Sequence, residues 1–378
     1  MKNVRIKTQL ITATALAVCS LAQAQSNVTI YGNVDLYLES FKTTGIPSAM
    51  QVSSGGLAPS KWGLRGSENL GSGLKATFKL ESGFKADTGA GGSALFERGA
   101  NVGLESASWG AVVLGRQNAP MNDAMVWTDS DWGSNFSPIT PLLLNPGSSS
   151  LPSVATSGAP QIGPMHLRQS NLISYNTPKL SGFDVKIAFG PGEKAALGPY
   201  VVRNTAGASV RYSEGPVLAT AALHRGGFDT AAGAIKQNAF NLALRYKFGF
   251  GDLSGDYYQN TNTLANGAEP KLRGTVVGVL VPQGPWAYVA QYGRFIDNAL
   301  NYAGAAKADG KSDLLNLGVH YYLSKTTILY ARATYIKDTN GGFNGQPYVA
   351  AWGISPTLRG LDTNGSARTV GLGLVKFF

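Results

Sequence analysis

The sequence is short of charge, of cysteine and of long apolar runs. Of its 378 residues, 14% are Asp, Glu, Lys or Arg, against about 25% in ordinary soluble domains. Yet only 43% are hydrophobic, and the mean hydropathy is near zero. Beyond the N-terminus no stretch supplies the roughly 18 consecutive apolar residues a spanning helix needs, which excludes a helical membrane protein. The one cysteine, Cys19, sits in the N-terminal segment, so no disulfide holds the rest. Catalytic and metal chemistry are also missing. His166, His224 and His320 are scattered, with no second ligand at metal-binding spacing. Gly304 to Ser312 is one residue too long between glycines for a phosphate-binding loop, and Asp129-Ser130-Asp131 lacks the rest of a calcium loop. No Ser/His pair sits in a recognisable motif. We expect no enzyme, no cofactor, no metal and no nucleic-acid partner.

What is present begins with an address. Lys2, Arg5 and Lys7 form a basic head, Leu10 to Leu21 an apolar-to-small middle, and Ala22-Gln23-Ala24 a cleavage site. Residues 1–24 read as a signal peptide cleaved between Ala24 and Gln25, leaving 25–378 as the mature, exported chain. Cleavage removes three positive charges, taking +10 to +7. An exported chain of this size with no disulfide must be held by its topology or its surroundings.

The mature chain alternates with period two. Val28, Ile30, Gly32, Val34, Leu36 and Leu38 share one face of a strand, and Thr29, Tyr31, Asn33, Asp35, Tyr37 and Glu39 the other. Leu74, Ala76, Phe78 and Leu80 alternate with Lys75, Thr77, Lys79 and Glu81; Phe240 to Phe248 and Leu315 to Leu323 repeat the pattern. About sixteen such segments, each near the ten residues a tilted strand needs to cross a bilayer, follow one another. They cover 27–39, 58–69, 73–84, 94–104, 109–117, 167–177, 182–190, 205–213, 216–225, 238–248, 251–259, 272–281, 285–295, 313–323, 326–336 and 367–378. Short connectors such as 70–73, 213–216 and 324–325 alternate with longer polar loops such as 41–56, 260–270, 297–311 and 337–366. That asymmetry fits an all-β transmembrane antiparallel barrel with both termini on one side. A secreted all-β carbohydrate-binding protein or hydrolase shares the composition, but would extract without detergent. Tyr31, Tyr175, Tyr257, Tyr258, Tyr321, Tyr322 and Tyr330, near strand ends, read as interfacial girdles.

One stretch breaks the pattern. Residues 118–165 show no strand alternation, and carry Asp123, Asp129, Asp131, Trp127, Trp132 and six prolines from Pro138 to Pro164. A structureless loop beyond about 15 residues points to function or disorder. We expect it to fold into the barrel and narrow it.

Several segments resemble a known family. They are Ser26 to Tyr37 (SNVTIYGNVDLY), Lys61 to Lys75 (KWGLRGSENLGSGLK), Phe96 to Leu104 (FERGANVGL), Leu114 to Gln117 (LGRQ), Arg168 to Tyr175 (RQSNLISY), Leu323 to Tyr330 (LSKTTILY) and Gly371 to Phe378 (GLGLVKFF). Together, across the whole mature chain, they are similar to the trimeric general porins of Gram-negative outer membranes, the beta-proteobacterial branch in particular. The resemblance implies a sixteen-stranded barrel and a homotrimer, with a long outer loop folded into the lumen. It implies a water-filled channel for passive diffusion of small hydrophilic solutes and ions. A substrate-specific anion channel of the same fold is the alternative. Phe378 matches the family's terminal assembly signal, while Lys376 stands where an aromatic or His is usual.

The resemblance also implies a constriction with basic residues on the wall and acids on the loop. Arg98 and Arg168 match wall arginines; Lys61 stands where the family tends to have Arg, keeping the charge but losing the bidentate fork. Arg65 shares the parity of Lys61. Asp123, Asp129 and Asp131 are the candidates on the loop. A ring of charge in a narrow wet pore selects ions by sign, and a basic majority favours anions. Basic residues on loops or rims have another partner available, the phosphates of lipopolysaccharide. Strict alternation puts Arg98 on the side of Ala100, Val102 and Leu104. Either a bulge or a subunit interface would reconcile that with an inward arginine.

Overall fold

The structure, a computed structural model, describes residues 27–92, 94–144, 167–192, 201–230, 233–298, 308–340 and 364–378. The expected signal peptide with its Ala24–Gln25 junction, His166, the end of the inserted loop from residue 145 and most of the last outer loop lie outside these. Eighteen strand segments form one antiparallel sheet among the described residues. They are β1 (Asn27–Thr43), β2 (Ile46–Ser54), β3 (Lys61–Gly71), β4 (Leu74–Gly83), β5 (Gly99–Ser106), β6 (Gly110–Asn118), β7 (Arg168–Asn176), β8 (Phe183–Gly190) and β9 (Val201–Val202). There follow β10 (Thr205–Glu214), β11 (Val217–Thr230), β12 (Gly233–Phe248), β13 (Gly251–Thr263), β14 (Lys271–Gln283), β15 (Trp286–Asp297), β16 (Gly310–Ser324), β17 (Thr327–Thr339) and β18 (Ser366–Phe377).

These make sixteen staves, because two are interrupted. β2 and β3 both pair with β1, as upper and lower parts of one stave; β9 and β10 both pair with β11. Every other stave pairs with its sequence neighbours, and β18 returns to β1 from Asn33↔Phe377 to Thr43↔Ala367, closing the cylinder. Closure leaves no edge unpaired, the condition for strands to cross lipid.

The two faces are turned inside out relative to a soluble protein. On β1, Val28, Ile30 and Leu38 are 56%, 66% and 48% exposed, while Asn33, Asp35 and Glu39 are fully buried. A soluble sandwich would bury the apolar set. Here the aliphatic face looks outward to lipid and the polar face looks into the lumen, and β12, β16 and β18 repeat this.

Three expectations need correction. The stretch 41–56 is not a long loop: alternation continues up β1 and back down β2 with Phe41 opposite Ala49, around a turn at residues 44–45. The strand placed at 94–104 begins only at Gly99, and Arg98 sits in the turn before it, so alternation on β5 does not govern its direction. The tyrosines do not all form girdles. Tyr258 and Tyr330 are buried inward, and Tyr31 turns its hydroxyl to Glu81 at 2.8 Å. Outward aromatics at the short-turn end are instead Phe248, Phe250, Trp286, Tyr288 and Phe378.

The segment after Asn118 enters the lumen. It carries α1 (Pro120–Thr128) and α2 (Ile139–Leu144). Pro120 at the first turn needs no amide donor and presets the helical φ, while Asp123 favours the positive end of the dipole. Met121, Ala124 and Met125 lie on one face and are fully buried. With Ile139, Leu142 and Leu143 they pack on inward apolar side chains of the wall, among them Ala222, Tyr258, Val276, Phe295 and Leu314. A dry core has formed inside the barrel. Inward glycines on β14 and β15 make its seat: a Cβ on Gly293 would lie 2.5 Å from Cβ of Pro138, and one on Gly274 2.7 Å from Leu142.

Candidate functional site

The loop fills the half of the lumen against β10 to β17, where inward polar side chains such as Asn241, Asn260, Gln291 and Asn316 are buried. The opposite wall stays wet. Inward from β3 and β4, Arg65 is exposed and Lys79 keeps 44% of its side chain accessible. The aqueous path therefore runs along β3, β4 and the start of β7.

Register builds the basic wall. Arg65 pairs with Lys79, Gly63 with Glu81, and Glu81 in turn with Gly99. With no side chain at Gly63 the Tyr31 ring can lie across the strand, since a Cβ there would come within 2.8 Å of it. Tyr31 then donates to Glu81 at 2.8 Å, and the Arg65 guanidinium stands 5.1 Å from the ring centre. Lys79 Nζ and Arg98 Nε each reach Glu81 at 3.0 Å. Lys61 feels the charges of Arg98, Lys79 and Arg168, and Arg168 those of Arg98, Arg116 and Asp123. Thus Lys61, Arg65, Arg98 and Arg168, with Lys79, come together around the Glu81 carboxylate, and a second acid, Glu97, borders the cluster by accepting from the Gly83 amide at 2.8 Å.

A bulge helps to place Arg168. Between Gly115↔Leu172 and Gln117↔Gln169 the β7 strand has one residue more than β6. Asn171 takes up the bend at φ +57° and Gly115 at +118°. Arg116, beside it, donates to the carbonyl of Glu97 and at 3.0 Å to Ser170 Oγ.

The acids divide. Asp123 faces the wall, paired with Lys186 at 2.7 Å and accepting from Asn118 at 2.8 Å, within electrostatic reach of Arg168. Asp129 and Asp131 are not brought to the basic cluster. They are 3% and 1% exposed and bind the far wall. Asp129 accepts from Gln291 and from the Gly133 amide at 2.6 Å. Burial, and then the charge of Asp131, push its carboxyl up to about 7. Asp131 meets Arg332 at 2.6 Å with both side chains fully enclosed, and accepts from Ser134. His320 contacts Arg332 and stacks beneath Trp132. These groups fasten the loop's middle.

Lys79, Glu81, Lys186, Gln291, His320 and Arg332 were missed as site residues. Each stands on the polar face of its strand, so a signal existed for direction but none for partner. Phe378 closes the barrel seam, exchanging backbone hydrogen bonds with Gly32 at 2.9 and 3.0 Å. Lys376 reaches Thr326 at 2.9 Å.

A sequence profile of Gram-negative porins matches residues 12–341. Outer membrane porin protein 32 of Delftia acidovorans is 30% identical over 336 residues, 88% of this chain and 90% of that one. An outer membrane porin protein of Bordetella pertussis is 29% identical, over 88% of this chain and 94% of that one. The anion-selective porin from Comamonas acidovorans superposes with a TM-score of 0.77 at 25% identity, covering 94% of this chain and all of that one. OmpT of Vibrio cholerae in its trimer form, at a TM-score of 0.66 and 17% identity, shares the fold over 93% of this chain. A closed sixteen-stave barrel, its faces inverted toward lipid and its lumen half filled by its own loop, agrees with all of these: the chain belongs to the Gram-negative porin family of the outer membrane.

Proposed function

We propose that this porin passes small hydrophilic solutes by passive diffusion and prefers anions, with Lys61, Arg65, Arg98 and Arg168 as the filter. The observation that carries this is the charge imbalance on the wet wall: these four cations and Lys79 gather at Glu81, with Glu97 as a second acid at the edge, held on the Gly83 amide at 2.8 Å. At physiological salt charges are screened over about 8 Å, so groups sharing a narrow passage act nearly unscreened on an ion within it. Glu81 braces Arg98 and Lys79 without cancelling the excess. Asp123, already paired with Lys186, contributes little opposing field, and the inward anchoring of Asp129 and Asp131 keeps their carboxylates off the path. The reading is of a channel rather than a catalyst, working as a homotrimer, as in the trimer form of the Vibrio relative.

Planar-bilayer recording of the purified protein in a salt gradient tests it. Stepwise openings with a reversal potential of the anion sign are expected. Replacing Arg65, Arg98 and Arg168 together with glutamine should move that potential toward cations. An unmoved potential removes these residues from the filter.

A further inference from the structure

The inserted loop has one side that its anchoring does not use. Between α1 and α2 the chain reverses: the Trp132 amide donates to the Asp129 carbonyl at 3.2 Å, and the Gly133 amide to the Asp129 carboxylate at 2.6 Å. Residue 133 returns beside residue 126, since a Cβ on Gly133 would stand 3.1 Å from Val126. Thr128 to Asp131 are buried, whereas Val126, Trp127, Trp132 and Gly133 are not. Because the loop lies inside a closed cylinder, the water that reaches these four is the water of the passage. An indole therefore stands at each flank of the turn, with an apolar step between them.

Packing alone explains neither indole. Trp132 is 45% exposed, and its φ of +52° is a left-handed conformation that glycine or asparagine adopts more readily than a bulky side chain. The indole lies on the His320 ring, 6.3 Å between centres and 25° between planes, so its exposure falls on the rest of the ring. Trp127 is half-buried, with the Arg211 guanidinium 4.1 Å from its ring centre. Arg211 points inward from β10, as Val210 beside it is exposed outward. Among the described residues only its Nε is hydrogen-bonded, to Asp184 at 2.9 Å, and 31% of the side chain stays accessible. Its two terminal nitrogens are left for another partner. Arg211 stands three residues from the short-turn end of β10 and His320 four from that of β16, so both indoles sit toward the short-turn half of the lumen.

We propose that this turn is a second subsite of the channel, holding planar aromatic carboxylates: the ring lies on the indole surface and the carboxylate takes the terminal nitrogens of Arg211. The inference rests on the anion-channel reading, because the filter decides which charged solutes arrive. The chemistry of the turn then selects among them. A flat ring meets an indole face to face in an offset stack, whereas a puckered ring of the same size touches it only at edges. Guanidinium donors form a fork that fits a carboxylate. A small inorganic anion gains only the charge of Arg211, already shared with Asp184; an aromatic acid adds the ring contact. The other role open to Trp132, a cover over the Asp131–Arg332 pair, needs bulk but no aromatic face.

The test is planar-bilayer recording of the purified full-length protein in potassium chloride, with benzoate or cyclohexanecarboxylate added at neutral pH. Both are monoanions of nearly equal size, and only benzoate is flat. Each occupancy interrupts the chloride current, so the added current noise titrates binding. Wild type should half-saturate with benzoate at a concentration about fivefold below that for cyclohexanecarboxylate, the factor expected of one or two ring stacks. Trp132→Leu, which keeps the cover, should bring the two acids level, and Trp132→Phe should restore the gap. Arg211→Gln should weaken both acids and leave their ratio. Equal half-saturation in wild type overturns the proposal, as does a preference that survives Trp132→Leu, one that Trp132→Phe does not restore, or undiminished binding in Arg211→Gln. If Trp132→Leu does not form channels, Trp127→Leu takes its place, and the wild-type comparison stands by itself. The reversal potential in potassium chloride alone separates the two readings: an anion-sign potential without benzoate preference sinks the subsite only, and a cation-sign potential sinks the filter.

Discussion

Asp131→Asn is the most informative single change in the loop. Asp131 and Arg332 meet at 2.6 Å with neither side chain exposed, and Phe136 lies 5.7 Å from the guanidinium. Neutralising the acid leaves a buried guanidinium without a counter-charge, a penalty of about 3–5 kcal/mol. Against it stand Met121, Met125, Ile139 and Leu142, all essentially fully buried. At about 1.5–3 kcal/mol each they supply roughly 6–12 kcal/mol before ordering costs. The apolar hold is the larger, so the loop is not expelled. The strain falls on the stretch between α1 and α2, which should open locally while both helices stay seated. We expect single-channel records of D131N to flicker, and limited proteolysis to cut between residues 129 and 138 in a barrel whose resistance to heating in SDS is unchanged. Asp131→Asn with Arg332→Met removes both charges and should quiet the channel again. A D131N channel as quiet as wild type, or a double variant noisier than the single, would show that the pair does not fasten the loop.

Three further outcomes follow from the same geometry. Asp129 has its carboxyl raised from an ordinary 3.8 to about 7, so the folded loop holds that proton more tightly than the released loop. Its contribution to anchoring is complete below about pH 4 and fades as pH rises through 7; channel noise should grow between pH 6 and 8, and Asp129→Asn should flatten that dependence. Gly293→Ala puts a Cβ 2.5 Å from Pro138, an overpacking of about 1–3 kcal/mol that protease sensitivity of the loop would report; an unchanged digestion pattern would mean the seat is soft. Leu372→Arg, on the outward face at 63% exposure, should cost about 2–4 kcal/mol if it lies near the bilayer centre, measured as a lower denaturant midpoint for refolding into vesicles. Equal midpoints would place that residue outside the hydrocarbon.

How much of this was legible in the sequence depended on the range of the interaction. Alternation is a property of adjacent residues, so the direction of Lys79, Glu81, Asn316 or Arg332 could be read from their own strands, and the sixteen staves with them. It failed where the backbone itself departs from the period. Arg98 looked misplaced because the strand was drawn through it, whereas it lies in the turn before Gly99. The 41–56 stretch looked like a loop because Thr43, Thr44 and Gly45 are polar or small and Phe41 is an apolar side chain on the inward face of β1, yet Met50 and Val52 on β2 keep the outward apolar period.

The loop acids were misjudged for a different reason. Parity cannot say what a loop charge will face; that is set by partners distant in sequence, Gln291 for Asp129 and Arg332 for Asp131. Composition offered a hint in the other direction. A loop holding Met121, Met125, Ile139, Leu142 and Leu143 cannot stand free in a water-filled pore, because leaving those side chains wet would forfeit the burial that holds it there. It has to press its apolar side on one wall, and the acids that share that side must then find buried partners or be neutralised. Asp131 takes Arg332, Asp129 takes a raised pKa, and Asp123, at the helix start, reaches Lys186 instead. The same packing leaves the water to the opposite wall, where the loop acid that reaches the cations around Glu81 is Asp123, itself paired with Lys186. The charge of the passage is thus decided as much by where the loop's methionines and leucines go as by the arginines themselves.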